Sequence, residues 1–288
     1  MPANASAMQF DEDDLKLAKQ NAKQKFNESI KKHRAEIDEA MKKIKTLEKD
    51  ISSKNDALSG YRHIIIAGEH LKIVANYCNM NQESMDIMKV KNDNYLNDAR
   101  KALYQVLMHI EEVVTNFVDI PPSELDERLE PIEKMNPKRK YNLLNSIGYH
   151  IQLVVDSFGD NTKWKWSFVE IEGRYATIAK NLVDYRQTVA NNDPRKPYYV
   201  DNLNLMRMVK ELLDRASRRY REKYEQATKE AEDAKKSVDY LSALRRIAVL
   251  FGDAAEAEKL KRLMEVMTKH VENSLQKKKS DKKGAAKK

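Results

Sequence analysis

The sequence predicts an all-α protein, elongated, with about seven helices and long coiled-coil-like arms. Three observations carry that expectation. Glycine and proline are scarce, seven of each in 288 residues, so the chain has few of its usual interruptions. Charged residues make up 34% and apolar residues 41% of the chain, which excludes wholesale disorder but leaves too little for a thick globular core. Apolar residues also recur at three- and four-residue steps over long stretches, the period of a helix face.

Taken in order, the first element runs from roughly residue 14 to 58. Ile30, Ile37, Ile44, Ile51 and Leu58 fall seven apart, a heptad row. The companion row His33, Ala40, Leu47 and Lys54 is weaker, which suits multi-helix packing better than a two-stranded zipper. After Ser59-Gly60 a shorter, more apolar helix is expected, broken at Asn79 to Asn81. From about 82 to 118 the face is Met85, Met88, Tyr95, Ala99, Leu103, Val106, Ile110, Val113 and Phe117, stopped by Pro121-Pro122. A short acidic helix near 123–130 and the apolar run "KRKYNLLNSIGYHIQLVVDSF" follow.

The segment 160–189 opens like a strand, with Trp164, Trp166 and Phe168 alternating, but continues as a helix face. Trp164, Phe168, Ile171, Tyr175, Ile178, Leu182, Tyr185 and Val189 step by fours and threes behind the N-cap types Asp160, Asn161 and Thr162. Trp166 lies off that stripe. "NNDPRKPYY" is a corner. From Asp201 to Phe251 the face Leu213, Tyr220, Tyr224, Ala227, Ala231, Ala234, Val238 and Leu241 predicts one helix of roughly 75 Å. Phe251-Gly252-Asp253 is a turn, with Asp253 capping a last helix. The organisation expected is a disordered end or signal remnant over 1–13, one helical domain over 14–276 with corners near 119–137 and 190–201, and a disordered lysine-rich tail over 277–288.

Much chemistry is excluded by absence. No glycine spacing makes a phosphate cradle, and there is no nucleophile elbow. Residues three before each histidine are Ile30, Gly60, Ala67, Val106, Ile147 and Met267, so a Glu-x-x-His di-iron site has no ligands. His63 and His70, seven apart beside Glu69, lack a fixed third ligand, and His109 with Glu111 and Glu112 reads as a helix face. No metal, cofactor or catalytic residue is expected, and hence no enzyme. Cys78 is the sole cysteine and forms no internal disulfide. The longest apolar runs fall far short of the ~20 residues of a membrane span.

Of the net charge of +8, most sits in the tail, on Lys277, Lys278, Lys279, Lys282, Lys283, Lys287 and Lys288. The first five are the candidate polyanion-binding residues. In "RASRRYREKY" the tyrosines lie on the apolar stripe and the arginines flank it, so nucleic acid is not the expected partner. Trp164, Trp166, Tyr198 and Tyr199 gather at two corners and are the candidate protein-interface residues.

Three segments, "DDLKLAKQNAKQKFNESIKKH", "KWKWSFVEIEGRYATIAKNLVDYRQTVANNDPRKPYYVDN" and the lysine-rich end, resemble the flagellar-coiling proteins that coat the periplasmic flagella of leptospiral spirochaetes. The resemblance implies a non-enzymatic, bent or V-shaped sheath subunit that packs laterally on the flagellar filament core, with other sheath proteins and further copies of itself as neighbours. It also implies export to the periplasm. Ala5-Ser6-Ala7 resembles the end of an export signal, without the charged and apolar parts that precede one. The alternative is a cytoplasmic helical adaptor binding nucleic acid or an acidic partner through the tail and the Arg218, Arg219 and Arg221 cluster.

Overall fold

The computed structural model describes the backbone of residues 12–54, 57–159 and 162–285 and, within those spans, the side chains from 15 to 272 apart from residue 270. The possible signal end at Ala5-Ser6-Ala7, and Asp160 and Asn161 of the proposed cap, lie outside the described residues. The class is all-α: 85% helical, ten α-helices rather than about seven, with no strand among the described residues.

Helix α1 (Glu12–Ser53) packs on α2 (Ser59–Met88), which packs on α3 (Asp93–Val114). The short α4 (Pro122–Leu129) and a single 3-10 turn (Glu130–Ile132) lead to α5 (Pro137–Phe158) and α6 (Lys165–Asn181). These two lie against α2 and α3 on one side and α8 (Tyr199–Lys223) on the other, after the small α7 (Tyr185–Ala190). Helix α9 (Ala231–Leu250) packs on α8, and α10 (Ala254–Ala285) on α9. Among the described residues, the first and last helices thus each have one principal neighbour, and the middle helices have several.

The heptad row of α1 works as predicted where α2 faces it. Ile30, Ile37 and Ile44 are buried together with Ala40, and Phe26, Leu47 and Ile51 pack at its edges. Leu58 is exposed, because the helix ends at Ser53 and Leu58 stands before the first turn of α2. Gly60 admits the 3-10 turn, since a Cβ there would come 3.0 Å from Ile132 Cγ2.

Four boundaries differ from expectation. Asn79 to Asn81 do not break α2, because Asn81 is buried and uses its carboxamide oxygen to accept from the Asn92 amide at 2.9 Å. It therefore organises the next turn, while α2 continues to Met88 and ends at left-handed Lys89. Helix α3 ends at Val114, where Thr115 follows with a positive φ of 77° and an extended ψ of 157°, well before the prolines; Pro122 instead begins α4, where its missing N–H costs nothing. The face through Trp164 divides at Leu182, and Asp184 caps the separate α7 by accepting from the Gln187 amide at 2.8 Å.

The largest correction concerns the single 75 Å helix. The chain reverses there: α8 passes into a π-helical turn at Tyr224–Thr228, Lys229 takes a left-handed φ of 52°, and α9 returns along α8. Asp233 in the first turn of α9 ties the reversal together, accepting from Lys223 at 2.8 Å and Thr228 at 2.7 Å. Tyr220 and Tyr240, which one straight helix would hold twenty residues apart, stack with centroids 5.7 Å apart. The final turn is as predicted. Gly252 has φ 75°, and Asp253 accepts from the Glu256 amide at 3.0 Å. Helix α10 then continues to Ala285, through the segment expected to be a disordered tail, consistent with the helix propensity of its lysines and alanines.

Candidate interface and clefts

Trp164 and Trp166 stand together at the start of α6, yet neither is an open aromatic surface. Both are half-buried against the core. The Arg100 guanidinium of α3 lies 3.9 Å from the centre of the Trp164 ring, a stacked cation–π contact, and Lys165 covers Trp166 at 4.8 Å. Trp166, off the apolar stripe of α6, is therefore partly packed rather than fully exposed. A residue at the first turn of a helix meets side chains from beyond the helix end as well as those of its own stripe.

Tyr198 and Tyr199 stand at the other corner, at the start of α8. Tyr198 is exposed, in the left-handed region with φ 62°, and its hydroxyl accepts from Asn136 at 3.4 Å. Tyr199 is half-buried. The two aromatic pairs are not brought together, since Tyr198 shares a cleft with Asp184, just past the far end of α6, and that helix spans roughly 25 Å. The backbone of Lys277, Lys278, Lys279, Lys282 and Lys283 is on α10, and their side chains lie outside the described residues. In the arginine cluster, Arg218 pairs with Asp214, Arg219 with Glu172 and Glu222, and Arg221 with Glu225. Its charge is largely compensated within the fold.

The histidines assemble in a way that spacing along one helix could not reveal. His63 Nδ1 lies 3.1 Å from His109 Nδ1, and His70 stacks on His109 with centroids 5.7 Å apart. Glu69 turns instead to Lys43 and Lys72, and Glu111 makes a two-pronged ion pair with Arg174 of α6 at 2.8 and 2.5 Å. Burial lowers the pKa of all three imidazoles, that of His70 to about 4. Among the described residues no group of three or more His, Cys, Asp or Glu could hold a metal ion.

Two further features escaped the sequence reading because they depend on buried lysines. Asn181 is fully buried at the end of α6 and donates to the carbonyls of Thr115 and Phe117 at 3.2 and 3.0 Å. Lys180 beside it donates to Val118 O at 2.9 Å, so the loop after α3 hangs from α6. Lys140, also buried, lines a polar cleft of about 420 Å³ with Asp184, Thr188, Tyr198 and Asn202. Desolvation lowers its pKa, and nearby Asp184 opposes the shift. A second groove, of about 800 Å³, lies between α4, α7 and α9 and has mostly apolar walls.

The chain belongs to the TP0443 family, whose model matches residues 22–275. That span covers every helix from within α1 to within α10, so the match concerns the whole architecture. The family is of a Treponema type, consistent with a spirochaete origin. No curated protein and no solved structure matches the chain. No helix among the described residues is long and apolar enough to cross a membrane.

Proposed function

We propose that this TP0443-family chain is a non-enzymatic structural subunit of the periplasmic flagellar sheath, packing laterally on the filament and promoting its coiling and cell motility. The observation that carries the proposal is the state of the two terminal helices. Helix α1 has 42 residues and α10 has 32, and each rests mainly on one neighbour. Leu15, Leu17 and Met41 on α1, and Leu263 and Val266 on α10, remain exposed. Long helices with one face seated and apolar side chains left in solvent are suited to lateral contacts with other subunits. The resemblance of three segments to flagellar-coiling proteins supplies the identity of those neighbours, the filament core and other sheath proteins. The exposed Tyr198 corner adds a rim contact.

The adaptor alternative is less well supported, because the arginines it needs are already paired with carboxylates. Electron microscopy of isolated periplasmic flagellar filaments incubated with the purified chain tests the proposal. Regular decoration is expected. Bare filaments beside salt-sensitive binding to polyanions would favour the adaptor, because phosphate contacts weaken steeply with salt.

A further inference from the structure

The apolar groove between α4, α7 and α9 holds an uncompensated charge. Its walls include Ile120, Leu125, Tyr185, Val189, Ile247 and Leu250. Val189 and Leu250 on these walls are 42% and 48% exposed. The volume of about 800 Å³ falls within the ~300–1,000 Å³ of small-molecule sites, which combine apolar walls with a few fixed polar groups.

Five charged residues line the groove, and four neutralise each other. Arg186 pairs with Asp126 at 2.8 Å, and Arg246 pairs with Asp119. The fifth is Lys180, 7% exposed, with no carboxylate in ion-pair range among the described residues. Its ammonium donates to Val118 O at 2.9 Å and to Asn181 Oδ1 at 3.0 Å, and an ammonium has a third N–H. Burial and the nearby Arg246 guanidinium push its pKa down to about 8, against the pull of Asp119. At neutral pH it therefore remains mostly protonated, an unpaired cation at the Asp119–Arg246 end of an apolar trough. Buried charge without a counter-charge is costly, and a ligand carboxylate would remove that cost.

We infer that this groove binds an anionic amphiphile, a long-chain carboxylate whose head group meets Lys180 and whose chain lies along Leu125, Val189, Ile247 and Leu250. The charge balance selects the class: a neutral chain leaves the lysine unpaired, and a cationic one adds repulsion. This site is separate from the terminal helices on which the sheath proposal rests, so either can fail alone.

Calorimetric titration of the full chain with dodecanoate at pH 7 tests the inference, with dodecan-1-ol as the uncharged control of equal chain length. Saturable dodecanoate binding is expected, at least about tenfold tighter than the alcohol. Lys180→Met should erase that preference. Because Lys180 also holds the loop at Val118, Val189→Glu serves as a second variant: its position is exposed, so folding is retained, and it should weaken both ligands about tenfold or more. No saturable binding by the folded parent chain, equal affinity for acid and alcohol, or indifference to both variants would overturn the inference. So would a dimer in sedimentation that Val189→Glu dissociates and dodecanoate does not, since the groove would then be seating a second copy of the chain.

Discussion

Helix α6 and helix α1 are both helices of this chain, but they are held by different physics. Eleven of the seventeen residues of α6 are buried, and its neighbours approach until only glycine fits between them. A Cβ on Gly173 would stand 2.6 Å from Tyr220 Cε2 and 2.7 Å from the Tyr240 hydroxyl. Tyr175 donates to Leu144 O at 2.7 Å from the same helix. Helix α1 buries four apolar residues, Ile30, Ile37, Ala40 and Ile44, among its described side chains. Much of its seam is polar: His33 bonds to Asn76 at 2.6 Å and Glu83 at 3.1 Å, and Ser29 donates to Glu83 at 2.6 Å. A dense centre sets the angles between helices, and a lightly seated arm leaves much of its surface exposed. The difference places folding cooperativity in the middle and adaptability at the ends.

The sharpest break in that comparison comes from Ile178, fully buried on α6. Ile178→Ala should cost about 3–4 kcal/mol of global stability, through lost burial and the cavity left behind. Its measure is the urea midpoint, with all helices lost together. Gly173→Ala adds only a methyl group but drives it into two stacked tyrosines, and should cost about 1–3 kcal/mol. A neutral result would show that the α6–α8–α9 contact is loosely packed.

Between centre and arm lies the histidine cluster, whose effect is pH-dependent. Burial lowers the pKa of His70 to about 4, and His109 falls through burial and its neighbour His63, with Glu112 opposing. Below the unfolded value of ~6.5 the unfolded chain takes up protons that the folded cluster resists, so stability falls with pH from there toward 4. For His70 alone the loss is roughly 2 kcal/mol by pH 4.5. Thermal melts of the parent and of His70→Gln between pH 7.5 and 4.5 should show a shallower decline in the variant. Equal slopes would mean the cluster does not titrate as buried imidazoles.

A smaller global effect is expected on the arm. Ile37→Asn should release α1 from α2, raising amide exchange along residues 20–50 while α6 keeps its protection, because α1 has no other principal neighbour among the described residues. Loss of protection throughout the molecule would contradict the division between arm and centre.

Legibility in the sequence followed the same division. The α1 seam is a regular repeat of isoleucines, and its buried positions could be read by counting sevens. The Gly252-Asp253 turn carried both of its usual residues. The α8–α9 reversal carried neither glycine nor proline: Lys229 supplies the left-handed residue, and Asp233, Lys223 and Thr228 hold the turn through contacts that exist only once it has formed. The stripe from Leu213 to Leu241 therefore described two helices facing each other as well as it described one. His109 joining His63, and Lys180 pinning the 115–118 loop, are likewise contacts between distant segments, invisible to any periodicity within one helix. The aromatic corners were found, but the cations lying over the tryptophans come from elsewhere in the chain or from neighbouring lysines.

The central claim is that exposed apolar positions on the terminal helices seat this chain against the filament. Leu263 and Val266 lie on α10, exposed and outside the buried line of Ala257, Leu260 and Met267. Co-sedimentation of the Leu263→Asp, Val266→Asp double variant with isolated flagellar filaments measures the claim directly. The variant should keep the parent's circular dichroism and melting temperature, while the fraction bound falls to about a tenth or less. A folded variant that coats filaments as fully as the parent chain would contradict the account.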